Sequence, residues 1–235
     1  MAEDPASPLR VLCTLTIAAP MRELAGRFTD ATGIDLALQL DPTTLLVQAI
    51  EAGAEADVAV LTEEEVARLS GAGTLVSGSG VDIVRSFVGL GVRTGAPRPS
   101  IATVEEFIAV LRGARSIAYS QAGASGLYFK DLLVHLGIAD EVNAKATIVP
   151  RGFTGEKVAD GTCEYAVQQV SELMNVPGVD IVGPFPAEVG RAAVFSAGIM
   201  AASHRPQDAA RLIAFLSSAE VAPVMAAYGL EPLTA

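Results

Sequence analysis

Hydroxyl and small residues occur at three points where an apolar, strand-like run is followed by a helix-like run. They are Thr14 and Thr16, Thr43 and Thr44, and Ser120, Ala124, Ser125 and Gly126. In open α/β sheets, ligands bind outside the carboxyl ends of the strands, where helix N–H groups and the helix dipole favour anions. We therefore expect these three points to converge on a site for a small anion.

Each hydroxyl also has a simpler interpretation, in which it only caps the helix that follows it. Gly123 and Gly126 favour the anion site at the third point, because glycine lets the backbone approach a ligand closely.

Two arginines and two glutamines add groups that suit a planar anion. Arg85 and Arg151 each offer a guanidinium that can hold a carboxylate through two parallel hydrogen bonds. Gln168 and Gln169 offer amide donors and acceptors. The alternative for each arginine is a surface salt bridge. Together these residue types favour an organic acid over a tetrahedral oxyanion.

Other chemistries lack the residues that they need. His135 and His204 stand alone, and Cys13 and Cys163 form no C-x-x-C pair, so we expect no metal, no cofactor and two buried thiols. The run from Gly89 to Gly95 misses the spacing of a dinucleotide fingerprint. No Walker A sequence and no G-x-S-x-G elbow is present.

Alternating strand-like and helix-like runs must position these residues. They predict an α/β fold with helices on both faces of mostly parallel sheets. In the first helix, Met21, Leu24 and Phe28 share one face. Before the second helix, Asp41 is predicted as the N-cap and Pro42 as the first helical residue. The run Thr62-Glu-Glu-Glu is predicted to open a third helix with a capping box.

Size and charge limit the protein's organisation and partners. The chain has 235 residues, and its 51% hydrophobic content excludes disorder. Its net charge of −11 argues against nucleic acid as a partner, and no apolar run reaches the length of a membrane helix. Its length suggests two lobes, residues 1–85 with 193–235 and residues 86–192, with Gly89–Gly91 and Ser196–Gly198 as crossing segments. The N-terminus shows no signal peptide, which predicts a cytoplasmic protein, or a periplasmic one if a signal peptide has been removed.

The order of these motifs resembles the molybdate-binding-protein-like branch of type 2 periplasmic solute-binding proteins. The segments that carry the resemblance are Val11–Ala19, Phe28–Ile34, Gln48–Val58 and Ala209–Gly229. The resemblance implies two α/β lobes joined by crossing strands, a ligand cleft between the lobes that closes about a hinge, and an ABC transporter permease as partner.

The resemblance also assigns roles to particular residues. Thr16 corresponds to the family's first-strand serine, and Thr43 with Thr44 to its serine pair before the second helix. Ala124 or Ser125 corresponds to the small residue whose amide meets the ligand. Gln169 stands where the molybdate binders carry a tyrosine, and this departure argues against molybdate as the ligand.

Two classes of function follow. The first is a solute receptor or sensor that closes on a small anion, preferably a carboxylate. The second is an enzyme on the same scaffold, an isomerase that shifts a double bond in a small polycarboxylate of the aconitate type by proton abstraction next to a carbonyl. Such an enzyme needs a general base, for which Glu164, Tyr165 and Glu172 are the candidates.

Overall fold

The computed structural model of the chain describes residues 7–233. Its strands are β1 (Leu9–Thr14), β2 (Leu36–Asp41), β3 (Val58–Thr62), β4 (Val81–Arg93), β5 (Ile117–Ser120), β6 (Ala146–Val149), β7 (Tyr165–Gln169), β8 (Val179–Pro184), β9 (Ala192–Ile199) and β10 (Glu231–Pro232). Its α-helices are α1 (Ala18–Thr32), α2 (Thr43–Glu51), α3 (Glu63–Gly71), α4 (Val104–Gly113), α5 (Ala124–His135), α6 (Ala139–Asn143), α7 (Glu156–Ala159), α8 (Val170–Met174), α9 (Pro206–Leu216) and α10 (Ala222–Ala227). A short 3-10 helix, Leu15–Ile17, precedes α1.

The described residues form two compact units. Unit 1 contains the residues up to Arg85 and those from Ala193 onward, and unit 2 contains Ser86–Ala192. The chain therefore passes between the units inside β4 and at the start of β9. The glycines predicted as crossing points lie elsewhere: Gly89 pairs with Gln168 inside unit 2, and Gly198 pairs with Ala59 inside unit 1.

Unit 1 is built on strands in the order β2-β1-β3-β9. β1 runs parallel to both β2 and β3, with Thr14 opposite Asp41, whereas β9 runs antiparallel to β3. The carboxyl ends of β1, β2 and β3 therefore lie at one edge of this sheet. That edge carries the first two of the three predicted points.

Helices cover both faces of the unit 1 sheet, because successive side chains along its strands point to opposite faces. Val11 and Cys13 belong to a core cluster that also holds residues of α1, α9 and α10, whereas Leu12 lies in a second cluster with residues of α2 and α3. Leu212 and Phe215 of α9 pack in the first cluster, where the Phe215 ring lies 5.5 Å from that of Phe28. The C-terminal helices thus belong to unit 1.

Unit 2 is built on strands in the order β4-β7-β5-β6, with β8 also paired to β4. β5 runs parallel to β6 and to β7, and β4 runs antiparallel to β7. Tyr119 and Phe129 belong to one core cluster, and Ala118 and Ala166 to another, so this sheet is also covered on both faces. The carboxyl ends of β5, β6 and β7 share one edge, which carries Ser120 and Gln169.

The predicted α/β class is confirmed, whereas the predicted start of α2 is wrong by one residue. Pro42 is the N-cap of α2, because its ψ of 143° is extended, and Asp41 is instead the last residue of β2. Helix α3 begins as predicted, with Thr62 as its N-cap, but the Thr62 side chain makes no capping hydrogen bond, so the predicted capping box lacks this bond. In contrast, Thr103 accepts a hydrogen bond from the backbone N–H of Glu106 at the start of α4.

Within residues 7–233, none of the helices combines the length and the apolar character needed to cross a bilayer.

Candidate functional site

The carboxyl edge of the unit 1 sheet brings together four of the predicted binding residues, Thr14, Thr16, Thr43 and Thr44. The first three are buried, with exposed fractions of 2%, 3% and 6%, and Thr44 is half-buried. The Thr43 hydroxyl lies 3.1 Å from the Thr14 hydroxyl and donates a hydrogen bond to it. We call these four threonines with Asp41 the unit 1 edge.

Three helices at the two edges, α1, α2 and α5, begin without a capping side chain. The N-cap residues of α1, α2 and α5 are Ile17, Pro42 and Gly123, and none of them makes a side-chain hydrogen bond to its helix. Thr43 and Thr44 are themselves the first residues of α2. The simple capping interpretation therefore does not describe these N-cap positions, and the dipole of each helix start is directed to the edge.

Asp41 is an acidic member of the unit 1 edge that sequence reasoning assigned to helix capping. It is 5% exposed and lies opposite Thr14 in the parallel ladder. The signal that could have revealed it is its position at the end of β2, next to the predicted threonines. It gives the unit 1 edge one carboxylate among its hydroxyls.

The carboxyl edge of the unit 2 sheet carries the remaining small residues of the prediction. Ser120 and Ser125 are buried, with exposed fractions of 2% and 1%, and Ala124 is half-buried. The Ser120 hydroxyl oxygen accepts a hydrogen bond of 2.9 Å from the Gly123 N–H, which shapes the turn into α5. We call Ser120, Ser125, Arg151, Gln169 and Glu172 the unit 2 edge.

Gly126 is required for packing, whereas the sequence predicted that it lets the backbone approach a ligand. A Cβ atom at this position would lie 1.8 Å from the carbonyl oxygen of Ser120. The missing side chain therefore lets the first turn of α5 rest directly on the end of β5. A Cβ atom on Gly123 would meet the Ser120 hydroxyl at 2.9 Å.

The adjacent glutamines are used differently. The side-chain amide of Gln168 is engaged within unit 2, accepting hydrogen bonds from the N–H and hydroxyl of Thr154 and donating one to the carbonyl of Gly152. Gln169 reaches over the start of α8 in the manner of a capping box, yet its Oε1 is buried without a hydrogen bond of normal geometry. Gln169 therefore has an amide oxygen to offer a ligand, whereas Gln168 does not.

Both predicted arginines are exposed. Arg85 lies on β4, where its backbone pairs with Glu231 of β10, and its side chain forms no ion pair with another described residue. Arg151 follows β6 in the loop that Thr154 and Gln168 secure. Exposed guanidinium groups at these positions are accessible to a dissolved carboxylate.

Of the three candidate bases, only Glu172 lies at the unit 2 edge. Glu164 precedes β7 and accepts hydrogen bonds from the Arg115 backbone N–H and guanidinium, at 2.8 and 3.4 Å. Tyr165 starts β7, and burial raises the pKa of its hydroxyl. Glu172 is 6% exposed, and its carboxylate accepts a hydrogen bond of 3.4 Å from the Gln169 N–H. Strand β7, about 13 Å long from Tyr165 to Gln169, thus lies between Glu172 and the other two candidates.

Two buried serines near the same strands were missed by sequence reasoning. The hydroxyls of Ser86 on β4 and Ser171 on α8 are buried and have no hydrogen-bond partner among the described residues. A lone serine in an apolar run gives no signal in the sequence, because its significance depends on burial. With Gln169, these serines leave unit 2 with three unsatisfied polar atoms.

The cysteines are buried as predicted. Burial raises the pKa of the Cys13 thiol to about 12, so it is protonated at neutral pH. No group of three or more His, Cys, Asp or Glu residues that could hold a metal ion occurs in the described part of the chain.

Comparison with known proteins relates this architecture to solute receptors and to one enzyme. An aconitate isomerase from a Pseudomonas species is 32% identical over 241 residues, which span 100% of this chain and 92% of that protein. The periplasmic molybdate-binding protein of Azotobacter vinelandii is 20% identical with a TM-score of 0.79, covering 94% of this chain and 98% of that one. The sulfate-binding protein SubI of Mycobacterium tuberculosis H37Rv is 15% identical with a TM-score of 0.73, covering 97% and 87%.

The two structural likenesses show a shared fold, because both identities are below 25%. The family described as bacterial extracellular solute-binding protein matches residues 9–231, nearly the whole chain. That match agrees with the resemblance to molybdate-binding proteins seen in the sequence motifs. The chain belongs to the bacterial extracellular solute-binding protein family.

Proposed function

We propose that this protein binds a small organic polycarboxylate between the unit 1 edge and the unit 2 edge. The observation that carries the proposal is the composition of the two edges. Each edge has buried neutral polar side chains beside a helix start without a capping side chain, and each also carries one buried carboxylate, Asp41 or Glu172. Such edges suit anions, since helix N-termini and hydroxyl donors stabilise negative charge.

The arginines favour a carboxylate over a tetrahedral oxyanion. Neutral donors on every side are sufficient for a tetrahedral oxyanion in a closed site. Arg85 and Arg151 instead supply planar forks, which match the two oxygens of a carboxylate. Gln169 replaces the tyrosine of the molybdate binders; its side-chain N–H can donate to a carboxylate, and its buried, unpartnered amide oxygen can accept from a ligand hydroxyl.

Binding between the units is proposed from the positions of the edges and from family membership. Each unit collects its polar residues at the carboxyl ends of its parallel strands, which is where open α/β sheets bind ligands. Two segments connect the units, one inside β4 and one at the start of β9, and they are the proposed hinge. As a member of its family, the protein would deliver its ligand to an ABC transporter permease in the cell envelope.

Calorimetry with trans-aconitate, citrate, molybdate and sulfate tests this proposal. We expect the two carboxylates to bind more tightly than molybdate. The Thr43→Val, Thr44→Val double variant should lose binding while its unfolding curve stays cooperative. The Arg85→Ala, Arg151→Ala double variant should lose carboxylate affinity, by about 1.5–3 kcal/mol for each charge-assisted contact removed. Submicromolar binding of molybdate without any response to the carboxylates would overturn the proposal.

A second candidate function is isomerisation of aconitate. The observation that favours it is the similarity to an aconitate isomerase along the whole chain, together with Glu172 at the unit 2 edge. In this reaction, Glu172 would remove a proton from the CH₂ carbon of the substrate, and the electron pair would form a new double bond to the neighbouring carbon. Return of the proton to the far carbon of the original double bond completes the shift, and no oxidant is needed.

Proton NMR of trans-aconitate in D₂O separates receptor from enzyme. An isomerase converts the substrate to the cis isomer and exchanges its CH₂ protons for deuterium, whereas a receptor does neither. Glu172→Gln should abolish turnover and retain aconitate binding. Glu164→Gln is the matched control, because Glu164 lies at the opposite end of β7 beside Arg115. Loss of turnover in both variants would contradict the role of Glu172 as the base.

A further inference from the structure

The loop of residues 150–155, here called the Arg151 loop, connects β6 to α7 and carries one of the two proposed carboxylate-binding arginines. The arginine side chain is exposed, and the next residue, Gly152, has a φ of 89° that favours glycine. An exposed arginine on a loop recognises a planar group only if the backbone of the loop is held in place. The contacts that hold this loop therefore bear on specificity.

The side chain of Gln168 supplies those contacts from inside unit 2. Its Oε1 accepts hydrogen bonds from the Thr154 N–H at 2.7 Å and from the Thr154 hydroxyl at 2.9 Å. Its Nε2 donates to the carbonyl of Gly152 at 3.2 Å. Gln168 is 2% exposed and Thr154 is 0% exposed, so water does not compete for these bonds.

The bonds connect the Arg151 loop to the strand that carries Gln169. The Thr154 hydroxyl also lies 3.2 Å from the carbonyl of Val167, so two consecutive residues of β7 contact the loop. Side chains alternate along a strand, and Gln168 is directed to the loop while Gln169 belongs to the other face. The guanidinium-bearing loop and the Gln169 amide are thus fixed to each other through adjacent residues of one strand.

We propose that Gln168 and Thr154 are positioning residues that hold the Arg151 loop on β7 so that the Arg151 guanidinium and the Gln169 side-chain N–H donate to one planar carboxylate together. Neither positioning residue contacts the ligand. The inference rests on the proposed carboxylate binding. It attributes the site's preference for a planar ligand to the buried hydrogen bonds between Gln168, Thr154 and Gly152, here called the lock.

A double-mutant cycle with trans-aconitate tests the proposal. Thr154→Val removes the hydroxyl bond and keeps the N–H bond, and Gln168→Leu removes all contacts of the amide. Each should weaken aconitate binding about tenfold or more in the wild-type background. Neither should weaken it further in an Arg151→Ala background, because no guanidinium is left to position. Thr154→Ser, which keeps the hydroxyl, should bind as the wild type does.

Equal losses in the two backgrounds would mean that the bonds only stabilise the fold and would overturn the proposal. Wild-type affinity in Arg151→Ala would overturn it as well. Sulfate, which offers no planar carboxylate, serves as the second ligand, and its affinity should be unaffected by Thr154→Val. Melting curves recorded for each variant identify those that are folded, and Thr154→Val carries the test if Gln168→Leu does not fold.

Trypsin cleavage provides a readout that needs no ligand. Cleavage after Arg151 should be faster in Thr154→Val and Gln168→Leu than in the wild type, while cleavage after the exposed Arg93 should be unchanged. Unchanged cleavage after Arg151 would show that the lock does not hold the loop. If the wild type binds no carboxylate, the proposed function itself has failed, whereas the cleavage rates still decide whether the lock exists.

Discussion

The unit 1 edge and the unit 2 edge occupy equivalent positions on two sheets, yet they are built from different side chains. At the unit 1 edge, hydroxyls predominate, and the Thr43–Thr14 hydrogen bond joins two of them directly. At the unit 2 edge, three of the five groups are planar: the Gln169 amide, the Arg151 guanidinium and the Glu172 carboxylate. A hydroxyl rotates to suit its partner, whereas amides and guanidiniums act in a fixed plane.

Under the proposed function, the two edges therefore contribute different parts of ligand recognition. The threonines of the unit 1 edge suit small anions in general, because hydroxyls can donate in many directions. The unit 2 edge would then select the shape of the anion. The predictions below test this contrast, beginning with the largest expected effect.

Two helical glycines should respond in opposite ways. Gly126→Ala in α5 places a Cβ atom 1.8 Å from the carbonyl oxygen of Ser120, so we expect the free energy of unfolding to fall by about 3 kcal/mol or more. Gly26→Ala in α1 meets no atom within 4 Å and should raise it by about 0.5–1 kcal/mol. Urea denaturation measures both. A mild effect of Gly126→Ala would show that the start of α5 can move away from β5.

Substitutions of the two adjacent glutamines should have opposite consequences, one mainly for stability and the other mainly for ligand binding. Gln168→Leu leaves the buried Thr154 N–H without its partner, so we expect the free energy of unfolding to fall by about 2–3 kcal/mol. Gln169→Leu replaces an unpartnered amide oxygen and should change it by less than about 1 kcal/mol while abolishing aconitate binding. Denaturation and calorimetry on the same samples check both. Comparable destabilisation by the two substitutions would refute this distinction.

A single hydroxyl at the unit 1 edge should affect all anions alike. Thr43→Val removes the hydrogen bond to Thr14, which should lower the free energy of unfolding by about 1 kcal/mol. The affinities of the Thr43→Val variant for aconitate and for sulfate should fall by similar factors. The Arg151→Ala variant should instead bind aconitate more weakly and sulfate as before. Calorimetry with both ligands compares the two variants. A selective loss of aconitate in Thr43→Val would remove the contrast between the edges.

The smallest effect is expected away from both edges, at Asp180 on β8. The N–H of Gly95, with hydrogen bonds from Thr94 and Arg98, lowers the pKa of this carboxyl below its ordinary value of 3.8. A lowered pKa means that the charged form stabilises the fold above the unfolded pKa, and that this contribution is lost as pH falls through the folded pKa. Asp180→Asn should therefore melt slightly below the wild type at pH 7.

Thermal melting as a function of pH checks that sign. The difference in Tm between wild type and Asp180→Asn should shrink as acid titrates the carboxylate below pH 3.8. Ligand affinity should be the same in both proteins, since Asp180 belongs to neither edge. A Tm difference that grows toward low pH would contradict the assignment.

The sequence by itself determined the elements and their order. Helical spacing identified the buried face of α1 with Met21, Leu24 and Phe28, and the alternation of runs placed the junction hydroxyls at the carboxyl ends of strands. These inferences succeed because helix and strand periods follow from backbone geometry, which acts between near neighbours. The family resemblance also came from motif order alone, and the match over residues 9–231 agrees with it.

Only the tertiary structure decided which of two similar residues is engaged and which is available. Gln168 and Gln169 look alike in the sequence, but Thr154 reaches one of them and not the other. Glu164 and Glu172 are both near β7, but Arg115 engages the one at its start. Position 126 accepts only glycine, because a side chain there would collide with the end of β5. In each case the deciding partner is distant in the sequence, so local periodicity and propensity contain no trace of it.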